Sequence, residues 1–305
     1  MHGHPISYTS GSSEGRHTVP WFGRGADIYV ADTAIGGQEA VTAEVFDNWW
    51  PVWSPDSEYL AFLSDRDGSG CTKIWIWNAR NETLKRISDK PAGLGPIEWT
   101  PGGHQVIFSR SIESASAARS NESTTVAVQA SAPTVTVYKP STQEDSEPRS
   151  LAKYSLSVEL VDIDSGEMKT IVQGQISAYR LSPDGSHLAF TVANRFEGPG
   201  SQQILFDFEI VDIKSDESRK ALSDLRLDSA GSAFSWSPDG NYLCLRSSAG
   251  QAAEYFIVSA SGGTPPRLME HTFPSELSLR EAPLWNESAS RVYFLEEGEL
   301  WQGIS

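Results

Sequence analysis

Two short clusters and the scattered histidines carry the residue types that chemistry requires. Gly11-Ser12-Ser13-Glu14-Gly15 has the G-x-S-x-G spacing. Between a strand and a helix, that spacing presents a serine hydroxyl on a strained turn beside an oxyanion hole. Neither flank here has a strand or helix pattern, so the match reads as part of a Gly/Ser-rich tail. Asp65-Arg66-Asp67-Gly68-Ser69-Gly70 spaces its carboxylates like an oxygen-rich calcium loop. Such a loop needs a bidentate Glu at its twelfth position, which is Ile76, and a hairpin turn explains the same residues. Of the histidines, His2, His4 and His17 fall near the N-terminus, His104 and His187 in turns that enter strands, and His271 after a short strand. None is spaced to be oriented by a carboxylate while activating a nucleophile. The expectation is no catalytic site, no metal and no cofactor.

The elements that would position any site are written in a repeat. Trp53-Ser54-Pro55-Asp56, Trp99-Thr100-Pro101-Gly102, Leu181-Ser182-Pro183-Asp184, Trp236-Ser237-Pro238-Asp239 and the worn Trp285-Asn286-Glu287 follow one another at steps of 46, 82, 55 and 49 residues. A recurrence of about 40 to 50 residues marks stacked structural units. Pro presets φ, Asp bonds its own backbone and Gly turns left-handed cheaply, so each copy predicts a tight turn. Apolar runs follow, as in Leu60-Ala61-Phe62 and Leu188-Ala189-Phe190, with the length of strands buried on both faces. A second strand and a short third one come after, as in Phe208–Ile213 and Leu84–Ile87. With the strand that ends in the motif residue, each unit has four antiparallel strands. Such units must stack, and the radial solution is an all-β β-propeller.

Ser54-Pro55-Asp56 leading into Leu60–Gly68 and Lys73-Ile74-Trp75-Ile76-Trp77 resembles the TolB-type propeller repeat, which also builds the propeller of prolyl oligopeptidase-family serine peptidases. Asp27–Asp32 with Gly36-Gly37 resembles the later half of that repeat, and the similarity covers roughly residues 22 to 303. In those peptidases the Ser, Asp and His of the triad lie on a separate α/β-hydrolase domain, usually C-terminal to the propeller. With Ser305 the last residue, the sequence predicts a chain without it. Glu296-Glu297 is similar to the paired glutamates with which dipeptidyl-peptidase propellers hold a substrate amine. The flanking residues of that motif are missing, and Gly298 makes the pair read as a solvated hairpin turn.

Complete units are expected at about 49–89, 97–173, 176–222 and 232–270, with partial units at 27–45 and 282–303. Joining the two partial units into one composite blade gives five or six blades, and an incomplete larger ring is the alternative. Residues 1–20 are expected to be a disordered tail and 21–305 the propeller domain. A low-complexity insertion rich in Ser, Thr, Ala and Pro at about 111–150 departs between the second and third strands of its unit.

A net charge of −16 excludes the concentrated Lys and Arg that nucleic acid or an anionic membrane surface requires. Cys71 and Cys244 make no metal-spaced pair and read as reduced thiols. No run reaches the ~18 apolar residues of a membrane span and the N-terminus has no secretory pattern, so a cytoplasmic protein is expected. The functional expectation is a non-catalytic propeller that binds a protein or peptide, as a scaffold or as the remnant of a peptidase gate. The alternative is the propeller portion of a prolyl oligopeptidase-family peptidase of dipeptidyl or acylaminoacyl type. A propeller hydrolase with a central metal is a third reading, for which the sequence offers no ligand set. Propellers bind through loops at the ends of the ring, which nominates Asp65, Arg66, Asp67, Arg195 and Glu197 as rim residues.

Overall fold

The computed structural model describes residues 6–11, 26–33, 36–43, 46–93, 95–112, 151, 154–198, 201–227, 234–249, 252–262, 267–268, 273–274, 282–296 and 299–304. Among them there is no α-helix. The first sheet holds β1 (Ile6–Gly11), β2 (Ala26–Ala31) and β3 (Gln38–Ala40). The second holds β4 (Asn48–Trp53), β5 (Tyr59–Ser64), β6 (Lys73–Asn78) and β7 (Thr83–Arg86). A seven-stranded path then runs through β8 (Glu98–Trp99), β9 (Gln105–Ser111), β10 (Ser155–Asp162), β11 (Met168–Leu181), β12 (His187–Phe196), β13 (Ile204–Asp212) and β14 (Ser218–Leu225). β15 (Phe234–Trp236), β16 (Tyr242–Ala249), β17 (Ala252–Ser259) and β18 (Arg267–Leu268) follow, with β19 (Phe273–Pro274) also on β17. β20 (Leu284–Trp285), β21 (Arg291–Glu296) and β22 (Glu299–Ile304) form the last sheet.

The seven-stranded path is two four-stranded units joined by one strand. The first part of β11, up to Gln175, pairs with β10, and the part from Ile176 pairs with β12. Where two separate strands were expected the backbone runs on, because no turn former intervenes and Gly174 bends the strand at φ 152°, a region open to glycine.

The repeated motif folds as its chemistry dictates. Ser54 Oγ donates to Asp56 Oδ1 (2.6 Å) and accepts the Tyr59 N–H (2.9 Å). The same pair of bonds recurs at Ser182 and at Ser237. In the worn copy Asn286 alone replaces both side chains, its Oδ1 accepting the Ser290 and Arg291 N–H groups. The turn position with positive φ is glycine at 103, 185 and 240 but Ser57 (60°) and Ala289 (55°) elsewhere. A side chain there costs roughly 1 to 2 kcal/mol.

Units pack face to face. One core cluster joins Trp49, Ala61, Leu63 and Ile74 to Trp99, Val106 and Phe108 of the next unit, while Leu60 and Phe62 turn the other way, toward Ile28. Turns of successive units also approach one another: a Cβ on Gly103 would meet Asp56, and one on Gly185 would meet Pro101. The first strands therefore gather on a common side, and the sheets stack as a propeller. Indole donors fasten this stacking. Nε1 of Trp99 donates to Val52 O (2.9 Å), that of Trp236 to Arg180 O (3.0 Å) and that of Trp285 to Ser235 O (3.3 Å). Each acceptor precedes the motif residue of the previous unit. Leu181 cannot donate in this way, and there the Glu98 carboxylate takes the Leu181 N–H (2.6 Å) while the Tyr179 hydroxyl donates to Pro96 O. Burial raises the pKa of Glu98 above its ordinary value, against the pull of the Leu181 amide and Arg180.

Part of the segment expected as a disordered tail, Ile6–Gly11, is β1, paired along its length with β2. Its only sequence signal is the alternating Ile6 and Tyr8 among polar residues, which composition alone hides. The composite blade is also not formed among the described residues: the first and last units are separate three-stranded sheets. The insertion leaves between β9 and β10, the second and third strands of their unit. Residues 113–150, Ser12–Gly15 and Glu297 lie outside the described residues.

Candidate functional site

Antiparallel order puts the loop between second and third strands at one end of each unit, beside the loop that leads into the next unit. Asp65–Asp67 lie in such a loop after β5, whereas Arg195 and Glu197 lie at the end of β12 and just beyond it. The two groups belong to different units with one unit between them.

The Asp65–Asp67 loop is wired into the fold. Gly68 N–H closes a turn on Asp65 O (3.0 Å), and Asp65 Oδ1 accepts the Asp47 N–H (3.0 Å) from the neighbouring loop. Arg66 lies over the Trp75 ring, 5.5 Å from its centroid. Asp67 pairs with Lys73 and with Arg86 (3.1 Å), and accepts from Ser69 N (3.0 Å) and Oγ (2.6 Å). Desolvation pushes its pKa up, but the Lys73 and Ser69 hydrogen bonds outweigh it and hold the carboxyl far below the ordinary 3.8. The two carboxylates thus serve different partners, and the loop is a turn, as the sequence predicts.

Glu197 lines an open cavity of about 350 Å³ between the β12–β14 unit and the β15–β18 unit, which Arg195 adjoins through its pair with Asp224. Glu197, Asp224, Arg226 and Glu254 line it around an apolar floor of Leu205, Leu225 and Phe256. Glu197 pairs with Arg226, and Arg195 Nη2 lies 3.0 Å from Asp224 Oδ1. Asp224 sits in a β-bulge, because Phe206 pairs with Leu225 but Phe208 pairs with Leu222. Its φ of 56° is left-handed, and its N–H donates to the buried Asp207 (3.3 Å). The bulge turns the Asp224 carboxylate to the cavity. Three carboxylates against two guanidiniums, Arg226 on Glu197 and Arg195 on Asp224, leave the cavity one negative charge in excess, which favours a cationic group with an aliphatic or aromatic stem on the floor. Sequence reasoning named Glu197 and the bordering Arg195. It missed Asp224, Arg226 and Glu254, since Ser223-Asp224-Leu225-Arg226 looks like the end of an ordinary strand.

One triad-like grouping also escaped the sequence. Ser186 Oγ lies 2.6 Å from His187 Nδ1, and His187 Nε2 is 3.8 Å from Asp212 Oδ2. Ser186 Oγ also lies 2.8 and 2.7 Å from the two Asp184 oxygens, which only accept. The single hydroxyl proton goes to Asp184, so Nδ1–H of His187 donates to the serine and takes no proton from it. Asp212 is occupied in its own turn by the Lys214 and Ser215 N–H groups. The grouping is a strand-entry turn.

No helix among the described residues is long and apolar enough to cross a membrane, and no group of three or more His, Cys, Asp or Glu among them is placed to hold a metal ion.

No protein-family model matches the chain. It is 29% identical over 168 residues to the "Uncharacterized peptidase YuxL" of Bacillus subtilis (strain 168), covering 54% of this chain and 25% of that protein. TolB from Acinetobacter baumannii superposes with a TM-score of 0.52 at 15% identity, over 99% of this chain and 63% of that one. The β-propeller domain of the Trilobed protease from Pyrococcus furiosus gives 0.56 at 12% identity, over 99% and 79%. Pyrococcus horikoshii acylaminoacyl peptidase gives 0.56 at 13% identity, over 98% and 42%. The chain spans less than two thirds of the length of YuxL, TolB and the acylaminoacyl peptidase. Its fold is that of a TolB-like β-propeller, an architecture similar to the propellers of those peptidases.

Proposed function

We propose that this propeller is non-catalytic and binds an extended peptide or protein segment, basic in character, at the end carrying the loops between second and third strands. The observation that carries the reading is the cavity at Glu197, Asp224 and Glu254, with its excess of carboxylates over an apolar floor. Residence in the cytoplasm belongs to the proposal and is supported by Cys71 and Cys244, which are both free. Neither nucleic acid nor a membrane surface is a proposed partner, given the net charge of −16. The test is fluorescence anisotropy of the chain with extended peptides that differ only in an internal Lys, Gln or Glu. The Lys peptide is expected to bind about tenfold more tightly than the Gln peptide, as one charge-assisted hydrogen bond would give, and Glu254→Gln should narrow the difference. Equal affinity for all three peptides would sink the reading.

A second reading is favoured by the similarity to YuxL and to acylaminoacyl peptidase: the chain is the propeller portion of a serine peptidase. The adjoining genomic sequence tests it. A frame with G-x-S-x-G after a strand, then Asp and His in that order, supports the peptidase, and its absence on both sides removes it.

A further inference from the structure

The three indole bonds between units have a fourth counterpart without an acceptor. Trp53 occupies the motif position of its unit and packs toward Ile28 and Val30 of the first sheet, with its ring edge-on to Trp77 at 6.0 Å. By the rule that Trp99, Trp236 and Trp285 obey, Nε1 of Trp53 should donate to a carbonyl on the first strand of the preceding unit. Instead this nitrogen is buried with no hydrogen-bond partner. A buried indole donor left unpaired costs free energy; Nε1 of Trp49 and of Trp75 is unpaired too, but only Trp53 holds the motif position whose counterparts bond across to the preceding unit.

The first sheet explains the vacancy. Asp32 N donates to Gly37 O (2.8 Å) and Gly36 N to Asp32 O (2.9 Å), the same hairpin that Asp162 and Asp212 close after β10 and β13. β2 is therefore a third strand, β3 a fourth and β1 a second. The place of the first strand, along the far edge of β1, holds no described strand.

We propose that this edge of β1, together with Trp53, is a strand-addition site for a partner polypeptide in extended conformation. The occupied interfaces give its chemistry. Each first strand that accepts an indole runs to a Trp or Leu followed by Ser and Pro, as in Ala178-Tyr179-Arg180-Leu181-Ser182-Pro183, and the residue before the Trp or Leu offers its carbonyl. This inference goes beyond the peptide-binding reading and uses a different surface, so either can fail alone.

The experiment adds a fluorescein-labelled peptide of the sequence of residues 176–187 to the full chain and follows anisotropy. Saturable binding is expected, weakened about fivefold by Trp53→Phe, the loss of one neutral hydrogen bond. Trp99→Phe, which removes an internal bond, should leave the affinity unchanged. A peptide with Pro in place of Ala178 should not bind, a control that leaves the protein untouched. Absence of binding to the unaltered chain, equal binding of a scrambled peptide, or indifference to Trp53→Phe would each overturn the proposal. So would a dimer, seen by light scattering, that the peptide dissociates, because the occupant would then be a second copy.

Discussion

The loops after β5 and after β12 hold equivalent places in their units and carry similar charges, yet their fates differ. Asp67 is closed in by Lys73, Arg86 and Ser69, with its side chain 11% exposed, whereas Glu197 faces an open cavity with a single cationic partner and is 34% exposed. What separates them is the rest of each loop's own sheet rather than the loop itself. Lys73 and Arg86 come from the sheet of β5 and reach Asp67 directly, while the bulge at Asp224, on the sheet of β12, sets a further carboxylate beside the cavity that Glu197 lines. Charge in such a loop therefore says little about binding until the lateral packing is known.

The sharpest way to break the contrast is to remove the closed carboxylate. Asp67→Ala leaves Lys73 buried without its partner and is expected to cost about 3 kcal/mol, read from the urea midpoint. Acid probes the same charge. Because the folded pKa of Asp67 is lowered from 3.8, its contribution is full above that pH and lost as pH falls through the folded value. The stability difference between the unaltered chain and Asp67→Asn should accordingly shrink in urea melts below pH 4. On the open side, Asp224→Gly removes a left-handed side chain and should raise stability by up to about 1 kcal/mol. The same substitution weakens binding of the Lys peptide, which anisotropy reads. Glu197→Ala should change the melt least, by less than about 1 kcal/mol, since exposed pairs contribute little. A cost for Glu197→Ala as large as that for Asp67→Ala would erase the distinction between the loops.

Much of the fold was legible because its signals are local. Ser, Pro and Asp of each motif bond within a few residues of one another, so the turn at Ser54 or Ser237 can be read without knowledge of its neighbours. β1 was hidden because 14 residues separate it from its partner β2 and its own composition is that of a tail. The candidate site was half legible. Glu197 follows from loop position, but Asp224 and Arg226 enter through a bulge, and Glu254 comes from the next unit. Nothing in the motif sequence shows that the indole nitrogens of Trp99, Trp236 and Trp285 each find a carbonyl one residue before the preceding motif.

The unbroken course of β11 has a consequence for how the molecule opens. An outer strand that becomes the inner strand of the next unit leaves no seam along which these two units can separate. Their backbone amides should exchange with deuterium as one block, while those of β4–β7, reached only through the loop of residues 87–97, exchange as another.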